Sequence, residues 1–285
     1  VRVRRVGVCG TDLHAFRGDQ PFFTYPRILG HELGVEVSDV GPGVDDLRPG
    51  DRCAVRPYLH CGSCSACRAG RTNCCAHLEV IGVHRDGGMR EEILVPAEHL
   101  HSSAAAPIEG LALTEMWTIG AHAVDRADVQ PDEHVLVRGA GPIGGAIAQF
   151  ARLAGAAVSI VEPDPARRKR ARERFSAQAT YGPAPGLAEA ISGGDPDRLF
   201  PVVFDATGSA EAMGAAFDFV RPGGRLVFVG IVQESIPLPD SLFHEREMSV
   251  LSSRNATSSD FERVLDLLEA GDLDAADWIT HRLPL

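Results

Sequence analysis

Four cysteines spaced C-x2-C-x2-C-x7-C, at Cys61, Cys64, Cys67 and Cys75, constrain this chain more than any other feature. Short steps between thiolates let successive sulfurs converge on one tetrahedral zinc at about 2.3 Å, with Gly62 and Gly70 easing the bends. All four coordination positions are then filled, so a lobe of this kind is structural. The remaining cysteines, Cys9, Cys53 and Cys74, also precede residue 76, and seven is an odd total. Cysteines gathered in the first quarter of the chain do not form a secreted disulfide framework, and a reducing cytoplasm is expected. The net charge of −11 argues against a nucleic-acid surface, which matters because cysteine lobes also occur in nucleic-acid-binding modules. Neither a membrane-spanning stretch nor a signal peptide is read from the sequence.

The apolar pattern changes near residue 118. Before it, the short alternating runs VRVRRVGV, LGVEVSDVG, DRCAVRPY and EEILVPAE, with turns such as Gly41-Pro42-Gly43, predict an antiparallel, partly barrel-like domain. After it, the runs HVLVRGAG, AVSIVEPD, PVVFDATG, GRLVFVG and MSVLSSR alternate with segments of helical period such as GPIGGAIAQFARLAG and AEAMGAAFDFV. Buried strands alternating with helices predict an α/β, doubly wound parallel sheet. SSDFERVLDLLEAGDL predicts a further helix, started by Ser259 and stopped at Gly271. Residues 1–118 with 258–285 are expected to form one domain and residues 119–257 the other. VRVRRVGVCG at the start and ITHRLPL at the end read as interrupted strands, so both ends are expected to be cut from a longer protein.

Gly139-Ala140-Gly141-Pro142-Ile143-Gly144 follows the strand HVLVR and opens a helix. The first glycine makes the turn, the second lets a diphosphate approach the backbone, and the third allows close helix packing. The free N–H groups of the helix start then face the phosphates. Glu162 ends the next strand, 18 residues beyond Gly144, where a carboxylate accepts the adenosine ribose hydroxyls and repels a 2′-phosphate. NAD is therefore expected over NADP. Arg167-Arg168-Lys169-Arg170 could reach such a phosphate, but they are read as the solvated face of a helix capped by Asp164 with Pro165 first. Asp205-Ala206-Thr207-Gly208, ending the fourth strand, fits a loop beneath the nicotinamide ribose.

Cys9-Gly-Thr-Asp-Leu-His14, Gly30-His31-Glu32, the four-cysteine lobe and GAGPIG, in this order, resemble the zinc-dependent medium-chain alcohol/polyol dehydrogenases. The resemblance runs essentially end to end, although members of that family are longer at both ends. It implies a GroES-like, mostly antiparallel catalytic domain and a Rossmann nucleotide-binding domain, with the active cleft between them. It also implies two zinc ions per chain, one structural and one catalytic. By the resemblance Cys9 and His31 bind the catalytic zinc; read alone, a single cysteine and a distant histidine would be core residues. Glu32 and Glu115 compete for the remaining ligand position, and Met116 and Trp117 replace the small or proline-containing sequence usual after Glu115.

Three protein ligands leave one zinc position for the substrate hydroxyl, whose pKa falls on binding so that hydride can pass to the nicotinamide near neutral pH. The family's hydroxyl relay falls on Thr11, and the imidazole that passes the proton outward on His14, which read alone is a surface histidine. Asp12 resembles the carboxylate that orients His31. Cys74 and Cys53 are read as packing residues, and His60 and His77 flank the lobe.

PFFTYPRILGHEL, LEVIGVHRDGGM and SSRNAT resemble the branch that oxidises polyols and sugar acids. Tyr25 and His84 are expected near the substrate, and Arg254 near substrate or cofactor, because an arginine fork suits a carboxylate. Threonine or butanediol oxidation, or a silent zinc- and NAD-binding regulatory protein, are the alternatives. Homodimers or homotetramers are the family habit.

Overall fold

Val1 and Val3 are drawn partly inward while Arg2 and Arg4 stay exposed, the alternation of a half-buried strand, and a register shift between Val3 and Arg5 then turns Val6 inward. They form β1 (Arg2–Gly7) in a computed structural model that describes residues 1–18, 20 and 22–284. β1 pairs antiparallel with β2 (Glu32–Glu36), and β2 with β3 (Arg52–Val55). β4 (Tyr58–Leu59) and β5 (Glu79–Val80) make a separate ribbon, and β6 (Leu100–Ser102) completes the four-stranded order β1-β2-β3-β6. Leu33, Val35, Cys53, Val55, Ile81 and Ile93 form the core of this region.

EEILVPAE does not become a strand. Glu92 makes one isolated bridge to Arg2, Ile93 exchanges backbone bonds of 2.9 and 3.0 Å with Val1, and Pro96, lacking an N–H, stops the pairing. The helices α1 (Gly10–Arg17) and α2 (Ser65–Arg68) belong to this stretch, and α3 (Ile108–Arg126) begins in it.

The chain divides into two units, Val1–Thr118 with Asn255–Leu285, and Ile119–Arg254. The second unit is a six-stranded, wholly parallel sheet of β7 (His134–Arg138), β8 (Ala157–Val161), β9 (Ala179–Tyr181), β10 (Phe200–Asp205), β11 (Val220–Phe228) and β12 (Ser249–Ser252). Its order is β12-β11-β10-β7-β8-β9. The winding reverses between β7 and β10, which opens a crevice at their carboxyl ends, the usual ligand position in such sheets. Leu136, Phe200, Val203, Phe217 and Leu226 are packed in its core. β9 has no counterpart in the sequence reading, because three half-buried residues carry no periodic signal.

The connecting helices are α4 (Pro142–Leu153), α5 (Pro165–Arg174), α6 (Leu187–Ser192), α7 (Ala210–Ala215) and α8 (Asp240–Glu245). As the sequence predicts, Asp164 caps α5, its Oδ1 accepting the N–H of Ala166 at 2.7 Å with Pro165 at the first helical position. The last helix, α9 (Ser258–Ala270), lies in the first unit and stops at Gly271 (φ 82°). Its cap is Thr257 rather than Ser259, because Asp260 reaches back to accept the Thr257 N–H at 2.7 Å. ITHRLPL is not a strand over its described residues. Among the described residues, no helix is long and apolar enough to cross a membrane.

Candidate active site

α1 starts immediately after Cys9, and its first turn is tied down by Asp12. Asp12 Oδ2 accepts the Cys9 N–H at 2.9 Å, and Oδ1 accepts the Gly30 N–H at 3.1 Å. One buried carboxylate thus joins the segment bearing Cys9 to the segment bearing His31. His31 precedes β2, so strand alternation does not force it away from Glu32, the first residue of that strand. The donor atoms of Cys9, His31 and Glu32 all lie within 4.8 Å of one another. Gly7, opposite Glu32 in the β1–β2 register, keeps this arrangement open: a Cβ there would overlap Glu32 Oε2.

Glu115 lies on α3, buried, and its Oε1 accepts the hydroxyl of buried Tyr58 from β4. It is not among the three residues whose donors converge. Met116 and Trp117 after it are core residues, Trp117 meeting Trp278 edge-on at 5.8 Å.

The electrostatics of this pocket are strongly coupled. Burial and the Glu115 charge push the Glu32 carboxyl up to about 8. Burial also raises Glu115, against the pull of His31 and the Tyr58 hydrogen bond. Burial alone would depress His31, but Asp12, Cys9 and the Glu115 charge carry it well above the ordinary histidine value. Burial opposes ionisation of Asp12 too, yet His31 and the amides of Cys9 and Gly30 prevail and hold it low. His31 Nδ1 lies 3.7 Å from Asp12 Oδ1 and is buried without a hydrogen-bond partner. One buried imidazole therefore faces a thiol and three buried carboxyls. That excess of anionic donors fits a divalent cation.

Thr11 and His14 are one turn apart on α1 and so share a face, Thr11 half-buried and His14 exposed. Tyr25 is half exposed and donates its hydroxyl to the Ala15 carbonyl at 2.6 Å. His84 Nδ1 accepts the Val80 N–H at 3.0 Å within its own turn, and Arg254 is exposed at the end of the second unit. Tyr58 and Gly7 carry no motif signal and escape the sequence reading.

The cysteine lobe brings four sulfurs together around α2. Cys64 Sγ stands 3.5 Å from Cys67 Sγ and 3.9 Å from Cys75 Sγ. Backbone amides point at the sulfurs: Cys61 N–H at Cys75 Sγ (3.3 Å), Cys64 N–H at Cys61 Sγ (3.4 Å) and His77 N–H at Cys75 Sγ (3.3 Å). Hydrogen bonds from Ser63 and the Cys64 amide bring Cys61 down to about 5, whereas burial and neighbouring thiols push Cys67 up to about 12. Four such sulfurs with amide donors suit a structural zinc. Cys74 is not a packing residue as expected: the short turn Thr72–Cys74 buries Asn73 and leaves Cys74 exposed. Cys53 is fully buried, its thiol pushed up to about 12 by burial. His60 is half-buried against His99, and His77 is exposed.

In the second unit, Gly139 turns the chain from β7 with φ of 90°, and a Cβ on Gly144 would overlap the Gly139 carbonyl. A Cβ on Gly141 would meet nothing within 4 Å, so the backbone before Pro142 and Ile143 is open to a ligand. Glu162 is buried beneath this turn, its Oε2 accepting the Ala140 N–H at 2.7 Å and its Oε1 the Asp164 N–H at 2.9 Å. Arg168 donates to the carbonyls of Glu162 and Pro163 at 2.6 and 2.7 Å, which commits it to the loop, while Arg167 is exposed. Asp205 Oδ1 accepts both the N–H (3.0 Å) and the hydroxyl (2.6 Å) of Thr207.

Residues 1–105 match the family described as alcohol dehydrogenase GroES-like domain, and residues 142–270 match zinc-binding dehydrogenase. The chain is 41% identical to L-galactonate-5-dehydrogenase of Escherichia coli (strain K12), covering 100% of this chain and 84% of that protein. A zinc-binding dehydrogenase fold from Sinorhizobium meliloti 1021, solved bound to NADP, superposes with a TM-score of 0.89 at 33% identity, over 96% of this chain and 81% of the other. The rspB protein of Escherichia coli CFT073, complexed with NADH, gives 0.90 at 30% identity, over 97% and 81%.

Proposed function

Because the chain belongs to the zinc-binding dehydrogenase family, we propose that it oxidises a secondary hydroxyl of a sugar acid or polyol, passing hydride to NAD. The observation that carries this reading is the convergence of Cys9, His31 and Glu32 donors within 4.8 Å while Glu115 is engaged by Tyr58. Cys9, His31 and Glu32 would hold a zinc, which would supply the Lewis acid that lowers the pKa of the substrate hydroxyl. A second zinc belongs to Cys61, Cys64, Cys67 and Cys75 and holds the lobe in shape.

The chain's own residues do the rest. Asp12 fixes the Cys9 and Gly30 backbones and so sets the separation of the donors. Glu115, held by Tyr58, places a further carboxyl beside the trio, where it tunes the charge of His31 and Glu32. Thr11 takes the proton released from the substrate hydroxyl, and His14 delivers it to water. The turn Gly139–Gly144 and the start of α4 receive the diphosphate. Glu162, already fixed by the Ala140 amide, accepts the adenosine ribose hydroxyls with its remaining lone pairs. Its charge disfavours a 2′-phosphate, and Arg168 is turned away to backbone carbonyls, so NAD is preferred over NADP. The sugar-acid class is supported by the likeness to L-galactonate-5-dehydrogenase, with Arg254, Tyr25 and His84 as residues to test for substrate contact. A homodimer or homotetramer fits the family.

The test is NAD reduction by zinc-replete protein across a panel of aldonic acids and polyols, with threonine and butanediol as controls. Turnover with an aldonic acid or polyol, lost with a strong chelator and restored by zinc, is the expected result. A zinc-replete protein that reduces NAD with no member of the panel would overturn the reading.

A further inference from the structure

The strand that feeds the glycine turn ends in a charge. Arg138 is the last residue of β7, immediately before Gly139, and its side chain is only 7% exposed. Nothing in a nucleotide-binding turn requires a cation there, since the phosphates meet the backbone and helix start beyond it. The guanidinium faces inward along the sheet. Its Nη1 stands 3.5 Å from Oδ2 of Asp205, at the end of the neighbouring strand β10, and donates to the Ala212 carbonyl of α7. Its carbon lies 5.1 Å from the centre of the Phe219 ring. Asp205 itself is fully buried, and its Oδ2 has no hydrogen-bond partner apart from this ion pair.

The other oxygen of Asp205 has a different task. Oδ1 accepts the Thr207 N–H and hydroxyl, and Thr207 Oγ1 in turn accepts the Ser209 N–H at 3.2 Å. The backbone continues the link: Ala206 N–H donates to the Arg138 carbonyl at 2.9 Å, and Val229 and Gly230 N–H donate to the Asp205 carbonyl at 2.9 and 3.0 Å. The glycine turn and the Asp205–Gly208 loop are thus joined through two adjacent strand ends. An isolated buried carboxylate would rotate, protonate or draw in water. Arg138 gives it a fixed counter-charge, and Oδ1 then stays on Thr207.

We propose that Arg138 is a positioning residue for the dinucleotide: through Asp205 it locks Thr207 and the Asp205–Gly208 loop into the shape that receives the nicotinamide half. This rests on the reading of that loop as lying beneath the nicotinamide ribose, and it assigns Arg138 no contact with the cofactor. The adenine half is served by Glu162 and the glycine turn, which do not depend on the Arg138 side chain. Loss of the ion pair therefore separates the two halves of the cofactor, which a general loss of packing would not do.

The experiment measures binding of NADH, by its fluorescence, and of ADP, by calorimetry, to the full chain and three variants. Arg138→Leu and Asp205→Asn are expected to weaken NADH by about tenfold or more while ADP stays within about twofold of the parent. Arg138→Lys, which restores a charge opposite Asp205, is expected to recover most of the NADH affinity. If Arg138→Leu does not fold, Asp205→Asn decides, because it keeps the Oδ1 acceptor for Thr207 and puts an amide nitrogen, uncharged and unable to accept, where Oδ2 meets Arg138. Unchanged NADH binding in the folded variants, or equal losses of NADH and ADP, would overturn the inference. A parent protein that binds ADP but not NADH, or neither, would overturn the cofactor-site reading itself, and this inference with it.

Discussion

The hydroxyl of Tyr58 donates to Oε1 of Glu115, and both side chains are buried. Leaving a buried acceptor without its donor costs about 1–3 kcal/mol, and a carboxyl so orphaned is free to seek another partner. Tyr58→Phe is therefore expected to let Glu115 swing toward the Cys9, His31 and Glu32 donors. The outcome should be a kcat/KM lowered by about tenfold or more, with zinc content unchanged in elemental analysis. Unaltered kinetics would mean that Tyr58 does not govern Glu115.

Gly7→Ala offers a way to empty one metal site and spare the other. The backbone at Gly7 is not left-handed, so the penalty comes from the added methyl meeting both Oε2 and Cβ of Glu32. The variant should lose the zinc held by Cys9, His31 and Glu32 and retain the zinc of the cysteine lobe. Elemental analysis should give one zinc per chain fewer than the parent, with turnover abolished and a lower Tm, because the β1–β2 pair must part to admit the methyl.

The cysteine lobe should behave in the opposite way. Cys64→Ser removes a sulfur that stands 3.5 Å from Cys67 Sγ and 3.9 Å from Cys75 Sγ. One zinc should be lost together with a marked fall in Tm. Cys74→Ser, changing the exposed neighbour, should leave both quantities alone.

Zinc affinity at the Cys9, His31 and Glu32 site should rise with pH. Metal binding needs Glu32 and His31 deprotonated, and burial with the Glu115 charge holds Glu32 near 8, while His31 also stands well above its ordinary value. Without metal the sign reverses. The folded Glu32 value lies above the ordinary 4.5, so its contribution to stability is complete below about 4.5 and disappears as the pH climbs through about 8. Chelated protein should accordingly melt at lower temperature at pH 8 than at pH 5, and Glu32→Gln should reduce that slope. A chelated protein whose Tm is flat over this interval would show that Glu32 is not shifted.

Much of this was legible in the sequence, because the informative residues were close together in the chain. The thiol spacing, the glycine turn and the Asp164 cap are local patterns whose geometry follows from a few adjacent dihedrals. What escaped was non-local or weakly periodic. Tyr58 meets Glu115 across 57 residues, and no spacing rule links a tyrosine in a two-residue strand to a helix carboxylate. EEILVPAE has the composition of a strand, yet among the described residues its strand-like pairing is with the chain start, and Pro96 ends it. The start of α9 was misplaced because Ser258 and Ser259 follow Thr257 as equivalent hydroxyls, and the choice was made by Asp260.

Cys64 Sγ and Cys67 Sγ, 3.5 Å apart, also set a condition for handling the protein. With zinc stripped away, thiols this near one another, with Cys61 already shifted toward thiolate, are primed for air oxidation. A resident ion thus serves as a protecting group: chelation under reducing conditions remains reversible, whereas chelation in air closes the lobe into disulfides that fresh metal does not reopen.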